Sequence, residues 1–352
     1  MLEKDFVKEV LSIPSYTGHE ERVREFLLSF ASDNSFGSHV DGFGNVYLTK
    51  GVIGEGEFYP CFTAHMDTVH TTNHQAIVDN ERLELVDTDG LLWCEQGIGG
   101  DDKAGIAIIL SLMKGIDSAK ACFFVQEEPG CIGSDNLDED WFKDVGYVVA
   151  YDSPGYNRSA FACSGVVLFD KEFFLEHVKP VFGEFGVDNF YSEPCTDIEN
   201  IRIKIGVACV NIGAGYHNQH TLSETCVFDE MDGLAGLGKA MVEHLGRKRY
   251  DIPCSGKKYD FDNEDYRFFA SLSSDEFYSV SANTAEERKM TRTESLIVSM
   301  YYDVMTRCEE YGIDPGMFED IFNYYFSYEA NESEVYHEGG EPSESFWGEE
   351  TT

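Results

Sequence analysis

Positive charge is scarce in this chain. Of its 352 residues only 26 are Lys or Arg, against 65 Asp or Glu, which gives a formal net charge of −39. So acidic a surface repels nucleic acid and anionic membranes, and neither is expected as a partner. It attracts cations and basic substrates, or serves only as a solvated coat. Long apolar runs are missing too, and no stretch approaches membrane-spanning length. The first residues, MLEKDFVKEVLSIPS, are charged and have no apolar core, so no secretory leader is expected. The ten cysteines form no CxxC pair and no regular spacing. Free, mostly buried thiols in a reducing cytoplasm follow, with Cys94, Cys122, Cys131 and Cys209 read as packing residues. Internal repeats are absent.

What is present is an alternation of helix and strand signals. Residues 3–12 and 19–31 read as helices, the second with Val23, Phe26, Leu27 and Phe30 on one face. Asn45–Thr49 and Phe58–Ala64 read as strands, followed by a helix over Ala104–Lys114 and strands over Ala121–Gln126, Gly146–Tyr151 and Val207–Ile212. Cys226–Gly246 reads as a long helix. This order predicts an α/β fold: a mixed, largely parallel sheet with helices on both faces. Residues 1–249 form the domain that holds the chemistry-bearing motifs. Composition turns polar after about Tyr250, and residues 250–330 read as a helical extension, with helices from Thr293 and over Pro315–Tyr328. Residues 331–352 hold seven Glu and no Lys or Arg, and are expected to be a disordered tail.

Five short islands carry the chemistry: AHMDTVH (64–70), GGDDKAG (99–105), QEEPG (126–130), AYDSPG (150–155) and GYHNQHTLSE (215–224). Four of them follow predicted strands, so they gather at the carboxyl edge of the sheet, where ligand crevices of open α/β sheets lie. Together they offer His65, Asp101, Glu128, Asp152 and His220, a mixture of imidazole and carboxylate donors suited to two divalent metals. Each island has a plainer reading alone. His65 and Asp67 have the spacing that puts both side chains on one side of extended backbone, one to bind metal and the other to hold the ring N–H. Either Asp101 or Asp102 could be a ligand while the other caps the helix behind it. Glu127 and Glu128 leave an apolar strand together, and alternation gives them different tasks: one a ligand, the other a proton acceptor. Asp152 is a ligand or a turn former. His217 and His220 share one loop, and His70 and His74 read as loop residues.

In this order the motifs resemble the M20 family of metallopeptidases, closest to its peptidase T-like aminopeptidases. The match runs from IPSYTGHEERVREFL (13–27) and DGFGNVYLTKG (41–51) through HMDTV, GGDDKAG, EEPGCIGS and YDSPG. It ends at CTDIENIRIKIGVACVNIGAGYHNQHTLSE (195–224), and so covers roughly residues 3–245. The resemblance implies two zinc ions, with cobalt or manganese as alternatives. It implies that His65 and Asp152 hold one, Glu128 and His220 hold the other, and Asp101 bridges them. Asp67 would orient His65, and Glu127 would be the general base and then the general acid. The implied reaction is hydrolysis of peptide or amide bonds, most simply by an exopeptidase acting on small peptides. An N-acyl amino acid deacylase, a carboxypeptidase and a non-catalytic binding protein of the same fold are the alternatives.

The chain departs from the family in one large respect. M20 enzymes usually insert a lid domain between the Asp152 strand and the Thr196-Asp197 segment, and that lid often mediates dimerisation. Here only 43 residues separate Asp152 from Thr196, and they include a helix-like stretch, Lys171–Phe185. A lid-mediated homodimer is therefore not expected, and no lid residue can be carried over. Residue 70 is His where the family usually has Pro.

Overall fold

Beta-rich apolar segments in the first 250 residues pair into one large sheet. The structure is a computed structural model that describes residues 2–193, 195–253, 263–270 and 272. The strands are β1 (Gly37–Val40), β2 (Val46–Lys50), β3 (Tyr59–His65), β4 (Val86–Thr88), β5 (Leu91–Trp93), β6 (Ala119–Phe124) and β7 (Val145–Ser153). They continue with β8 (Ser159–Cys163), β9 (Val166–Val167), β10 (Phe190–Glu193), β11 (Cys209–Gly213), β12 (Tyr216–His217) and β13 (Thr225–Val227). The main sheet runs β1-β2-β6-β3-β7-β11-β8-β10, with β9 paired to β8. Its centre, β6-β3-β7-β11, is parallel, and β1-β2-β6 and β11-β8 pair antiparallel. A small second sheet, β12-β13-β5-β4, is antiparallel.

Every residue of β3 and β6 is buried, as expected for strands covered on both faces. The helices are α1 (Lys4–Leu11), α2 (Glu21–Asp33), α3 (His74–Asp79), α4 (Gly100–Gly115) and α5 (Ile132–Asp135). They continue with α6 (Lys171–Phe173), α7 (Lys179–Phe185), α8 (Asp197–Ile205), α9 (Phe228–Leu245) and α10 (Glu264–Ala270). Helix α4 packs on β3 and β7 and carries α1 and α9 with it, while α8 packs on β3, β8 and β11 together with α5. Ile106, Ile108, Ile109, Leu110 and Met113 of α4 are all buried. That explains why this helix reads as apolar on nearly every side rather than as an amphipathic stripe.

Among the described residues, the expected elements are found with boundaries shifted by up to four residues. Two differences have physical causes. Cys226 belongs to β13, not to the long helix, which starts at Phe228; its thiol is fully buried, and pairing with β5 outweighs helix continuity. The segment between Asp152 and Thr196 builds no separate domain. It adds β8, β9 and β10 to the main sheet, and residues 171–185 form a continuous helical rod of α6, a π-turn over Phe174–Val178, and α7. In the 250–330 region, α10 lays Tyr266 and Phe269 against Phe161, with Phe269 also against Phe169 and Phe174. The helices expected from Thr293 and over 315–328, and the tail 331–352, lie outside the described residues. No helix among the described residues is long and apolar enough to cross a membrane.

Candidate metal centre

Sheet topology sets the site. Strands β3, β6, β7 and β11 are parallel neighbours or next neighbours, so their carboxyl ends open on one edge. His65 ends β3, Glu127 and Glu128 follow β6, Asp152 is the next-to-last residue of β7, and His220 lies in the loop beyond β11 and β12. Asp101 comes from the first turn of α4, after a tight glycine loop. Gly99 has left-handed backbone (φ +60°), and a Cβ on Gly100 would stand 2.4 Å from Cys226 Sγ. Only glycine lets this loop press so closely against the β13 strand. The Asp101–Asp102 peptide bond is cis.

The five side chains meet. His65 Nε2 lies 2.9 Å from Asp101 Oδ1 and 3.6 Å from Asp152 Oδ1. His220 Nε2 lies 3.2 Å from Asp101 Oδ2 and 3.1 Å from Glu128 Oε2. Two trios result, His65–Asp101–Asp152 and Asp101–Glu128–His220, each with ligand atoms within 4.8 Å of one another. Asp101 belongs to both, and offers one oxygen to each. Ligand atoms on one tetrahedral zinc ion stand about 3.3 Å apart at metal–ligand distances near 2.0–2.1 Å, so these separations suit a cation at the centre of each trio. Glu128 Oε1 is buried with no hydrogen-bond partner among the described residues. A buried orphan carboxylate oxygen is costly without a positive partner, and a cation in the second trio would supply one. The residues present fit a dinuclear centre.

Electrostatics agree with the geometry. Burial drives the His65 pKa down, but hydrogen bonds to Asp101, Asp152 and Asp67 outweigh it and hold the imidazole well above its ordinary range. Asp101 feels burial pushing its pKa up, yet His220 and His65 keep it below the usual carboxylate range. Glu128 is pushed up to about 7 by burial, with His220 opposing. Glu127 is pushed well above the carboxylate range, first by burial, with His65 opposing and Asp152 and Glu128 adding to the rise. A carboxyl poised to hold a proton beside a ligand set is what general acid–base work requires.

The neighbouring residues sort the alternatives. Asp102 belongs to neither trio and accepts from Gly105 N at 3.0 Å, so it makes the capping bond of the helix and Asp101 is the ligand candidate. His217 bonds Glu230 of α9 at 2.7 Å and belongs to neither trio. His220 has left-handed backbone (φ 64°), rare for a residue with a side chain and a mark of sites where position outweighs local strain. His74 opens α3. His70 is buried and bonds Glu224 Oε2 at 2.5 Å.

One sequence-based expectation needs correction. Glu127 and Glu128 do not diverge because of strand alternation: β6 ends at Phe124, and the pair sits on a turn bracketed by left-handed Gln126 and Cys131 (φ 52° and 58°). Asp67 meets His65 with its backbone as well as its side chain. The ring Nδ1 lies 3.0 Å from the Asp67 backbone carbonyl and 3.5 Å from its carboxylate. That carboxylate also accepts from Thr17 Oγ1 (2.9 Å), Glu127 N (2.9 Å) and Glu128 N (3.3 Å). Asp67 therefore fixes the turn that presents both glutamates.

Sequence reasoning missed a layer of buried polar residues behind the site. Glu224 accepts from Gly99 N (2.9 Å) and Asp101 N (2.8 Å) and so shapes the loop that carries Asp101. Asn211 on β11 clasps the Asp152 backbone on both sides, at 3.1 and 3.0 Å, and donates to Glu193 at 2.6 Å. Glu193 also accepts from Ser153 (2.6 Å) and from Tyr191. Asp197 is buried close by, its carboxyl raised to about 8 by burial. Only the Glu four residues after His220 gave a hint of this layer in the sequence.

No protein-family model matches the chain, and no curated protein does. Solved structures share its fold. Aminopeptidase PepT from Bacillus cereus superposes with a TM-score of 0.56 at 17% identity, over 69% of this chain and 97% of that one. A tripeptidase from Staphylococcus aureus gives 0.55 at 15% identity, over 70% and 98%. An aminopeptidase from the archaeon Desulfurococcus kamchatkensis gives 0.53 at 15% identity, over 68% and 94%. The chain has the α/β fold of these peptidases, with the same kind of mixed central sheet.

Proposed function

We propose that this chain is a two-metal hydrolase of the M20 kind, nearest the peptidase T-like aminopeptidases, and that it cleaves small peptides as an exopeptidase. One observation carries the reading: the two oxygens of Asp101 face two different imidazoles, each completed by its own acidic partner. The fold shared with peptidases supports it. In this proposal His65 and Asp152 hold one ion, Glu128 and His220 the other, and Asp101 both; zinc suits the mixed nitrogen and oxygen donors, with cobalt or manganese as alternatives. Two divalent cations held there would polarise a scissile carbonyl and bring the pKa of water toward ~7.

The protein's own residues do the rest. Glu127 accepts the proton of the attacking water and delivers it to the leaving amine. Asp67 holds the Glu127 and Glu128 amides, so base and ligand keep their spacing. The Asp67 carbonyl accepts from His65 Nδ1–H and leaves Nε2 free as a donor atom. Eight free cysteines among the described residues, seven of them buried, support a cytoplasmic setting. With β8, β9 and β10 of the segment after Asp152 built into the sheet, a small peptide is the proposed partner, not a lid-borne second copy.

The test joins metal content with turnover. Elemental analysis should find two ions per chain, and aminoacyl or tripeptide substrates should be hydrolysed. Glu127→Gln should keep both ions and lose hydrolysis by a factor of about 10²–10⁴, whereas Asp101→Ala should lose the ions as well. Near-normal turnover in Glu127→Gln would remove the role given to that residue. Two bound ions with no turnover on aminoacyl, acyl-amino-acid or tripeptide substrates would favour a binding protein that keeps the fold.

A further inference from the structure

Cys131 closes the turn that carries Glu127 and Glu128, with its amide on the Glu127 carbonyl at 2.6 Å. Cys195 lies just before Thr196, the residue that caps α8. The two are 64 positions apart in sequence, yet their sulfurs stand 3.2 Å from one another. Packing keeps them there. Helix α5 starts one residue after Cys131 and lies on α8, and Asn200 of α8 bonds Ser134 Oγ at 2.9 Å and the Cys131 carbonyl at 3.4 Å. The pair also differs in access: Cys131 is 2% exposed and Cys195 is exposed. Cys61 and Cys122, by contrast, are both fully buried, so no small reagent reaches either.

We propose that Cys131 and Cys195 form a thiol–disulfide exchange site, which a small-molecule disulfide such as oxidised glutathione converts into an internal cross-link between the glutamate turn and the start of α8. The reaction balances in two exchanges. The Cys195 thiolate attacks the glutathione disulfide; an S–S bond forms to Cys195, the old S–S bond breaks, and one glutathione thiolate leaves. Cys131 sulfur then attacks the Cys195 sulfur, the second glutathione departs as thiol with the Cys131 proton, and the protein gains the two-electron oxidation that glutathione disulfide loses. The exposed thiol starts and the buried one resolves, as access dictates. Sulfurs at 3.2 Å must close by only about 1 Å to reach a disulfide bond length.

This inference does not rest on the hydrolase reading, because the cross-link is scored by chemistry and not by turnover. The full-length reduced protein is incubated with oxidised glutathione, then alkylated and mapped by mass spectrometry without reduction. We expect a Cys131–Cys195 linked peptide, the loss of two alkylatable thiols, and recovery of both after dithiothreitol. Cys131→Ser should instead accumulate glutathione on Cys195, and Cys195→Ser should leave Cys131 unmodified; circular dichroism confirms that both variants are folded. Wild-type protein that stops at the Cys195–glutathione adduct, or that links other cysteines in preference, would overturn the proposal, as would wild-type protein that does not react.

Discussion

Three carboxylates converge on the His65 imidazole, and on the proposed reading this has a consequence for how metal would load. In the metal-free protein Asp101, Asp152 and Asp67 hold that ring protonated above its ordinary range, and Glu128 keeps its proton up to about pH 7. A divalent ion needs both groups deprotonated. Zinc binding at pH 7 should therefore release protons, and affinity should fall as pH is lowered through 7 toward 6, where more of these protons must be displaced. Calorimetry in buffers of different ionisation enthalpy measures the proton count; zero release would contradict the donor set. Glu224 offers a second test. It is the acceptor for Gly99 N, Asp101 N and His70, so Glu224→Ala leaves buried donors without a partner. A loss of about 2–4 kcal/mol in urea unfolding is expected, together with weaker metal binding because the Asp101 loop loses its support. Legibility at this scale was uneven. That Asp101 and Asp102 would have different tasks could be read, because a carboxylate before an apolar helix has a second occupation as a cap; which of them is the ligand came only from the family resemblance. Asn211 and Glu193 could not, since each reads in sequence as an ordinary strand residue and gains its role only when β7, β8, β10 and β11 lie side by side.

Among the elements, α9 meets Tyr151 of β7 at a glycine. A Cβ on Gly238 would fall 1.8 Å from the Tyr151 hydroxyl, and that hydroxyl donates to Leu234 O at 3.2 Å. Gly238→Ala must push Tyr151 aside and break this bond, with β7 and Asp152 just beyond it. Overpacking of this kind costs about 1–3 kcal/mol, and a lower urea midpoint with an unchanged slope is the expected result. Elements with a clear apolar pattern, the stripe of α2 and the apolar runs of α4, β3 and β7, were legible because burial imposes that pattern. The turn after β6 was not. FFVQ reads as strand up to Gln126, but β6 ends at Phe124, and left-handed backbone at Gln126 turns the next two amides toward Asp67. The split of residues 171–185 by a π-turn was likewise hidden, because one extra residue in a helical turn leaves almost no trace in a hydrophobic pattern.

For the whole molecule, charge is the dominant feature. A folded chain with a formal charge of −39 repels itself more strongly than its unfolded form. Raising monovalent salt from about 0.01 M to 1 M shortens the screening length from about 30 Å to about 3 Å. The melting temperature measured in chelator, so that metal occupancy stays constant, should therefore rise with salt; a fall would show that attractive surface pairs outweigh the repulsion. The class of fold was legible from the alternation of strands and helices. The strand order was not. Nothing local in the sequence says that β11 runs parallel to β7 on one side and antiparallel to β8 on the other, because that choice is made by long-range burial. The short interval between Asp152 and Thr196 did say that no separate domain could fit there, and its residues extend the sheet instead.

Asp101 is common to both trios, and this ties the fate of one half of the centre to the other. On the proposed reading, an ion in one trio would draw charge from the carboxylate whose remaining oxygen the other trio needs, and would repel a second cation. Occupancy should then climb in two separate steps as zinc is titrated in, and singly loaded protein should be seen at intermediate ratios, as native mass spectrometry would reveal.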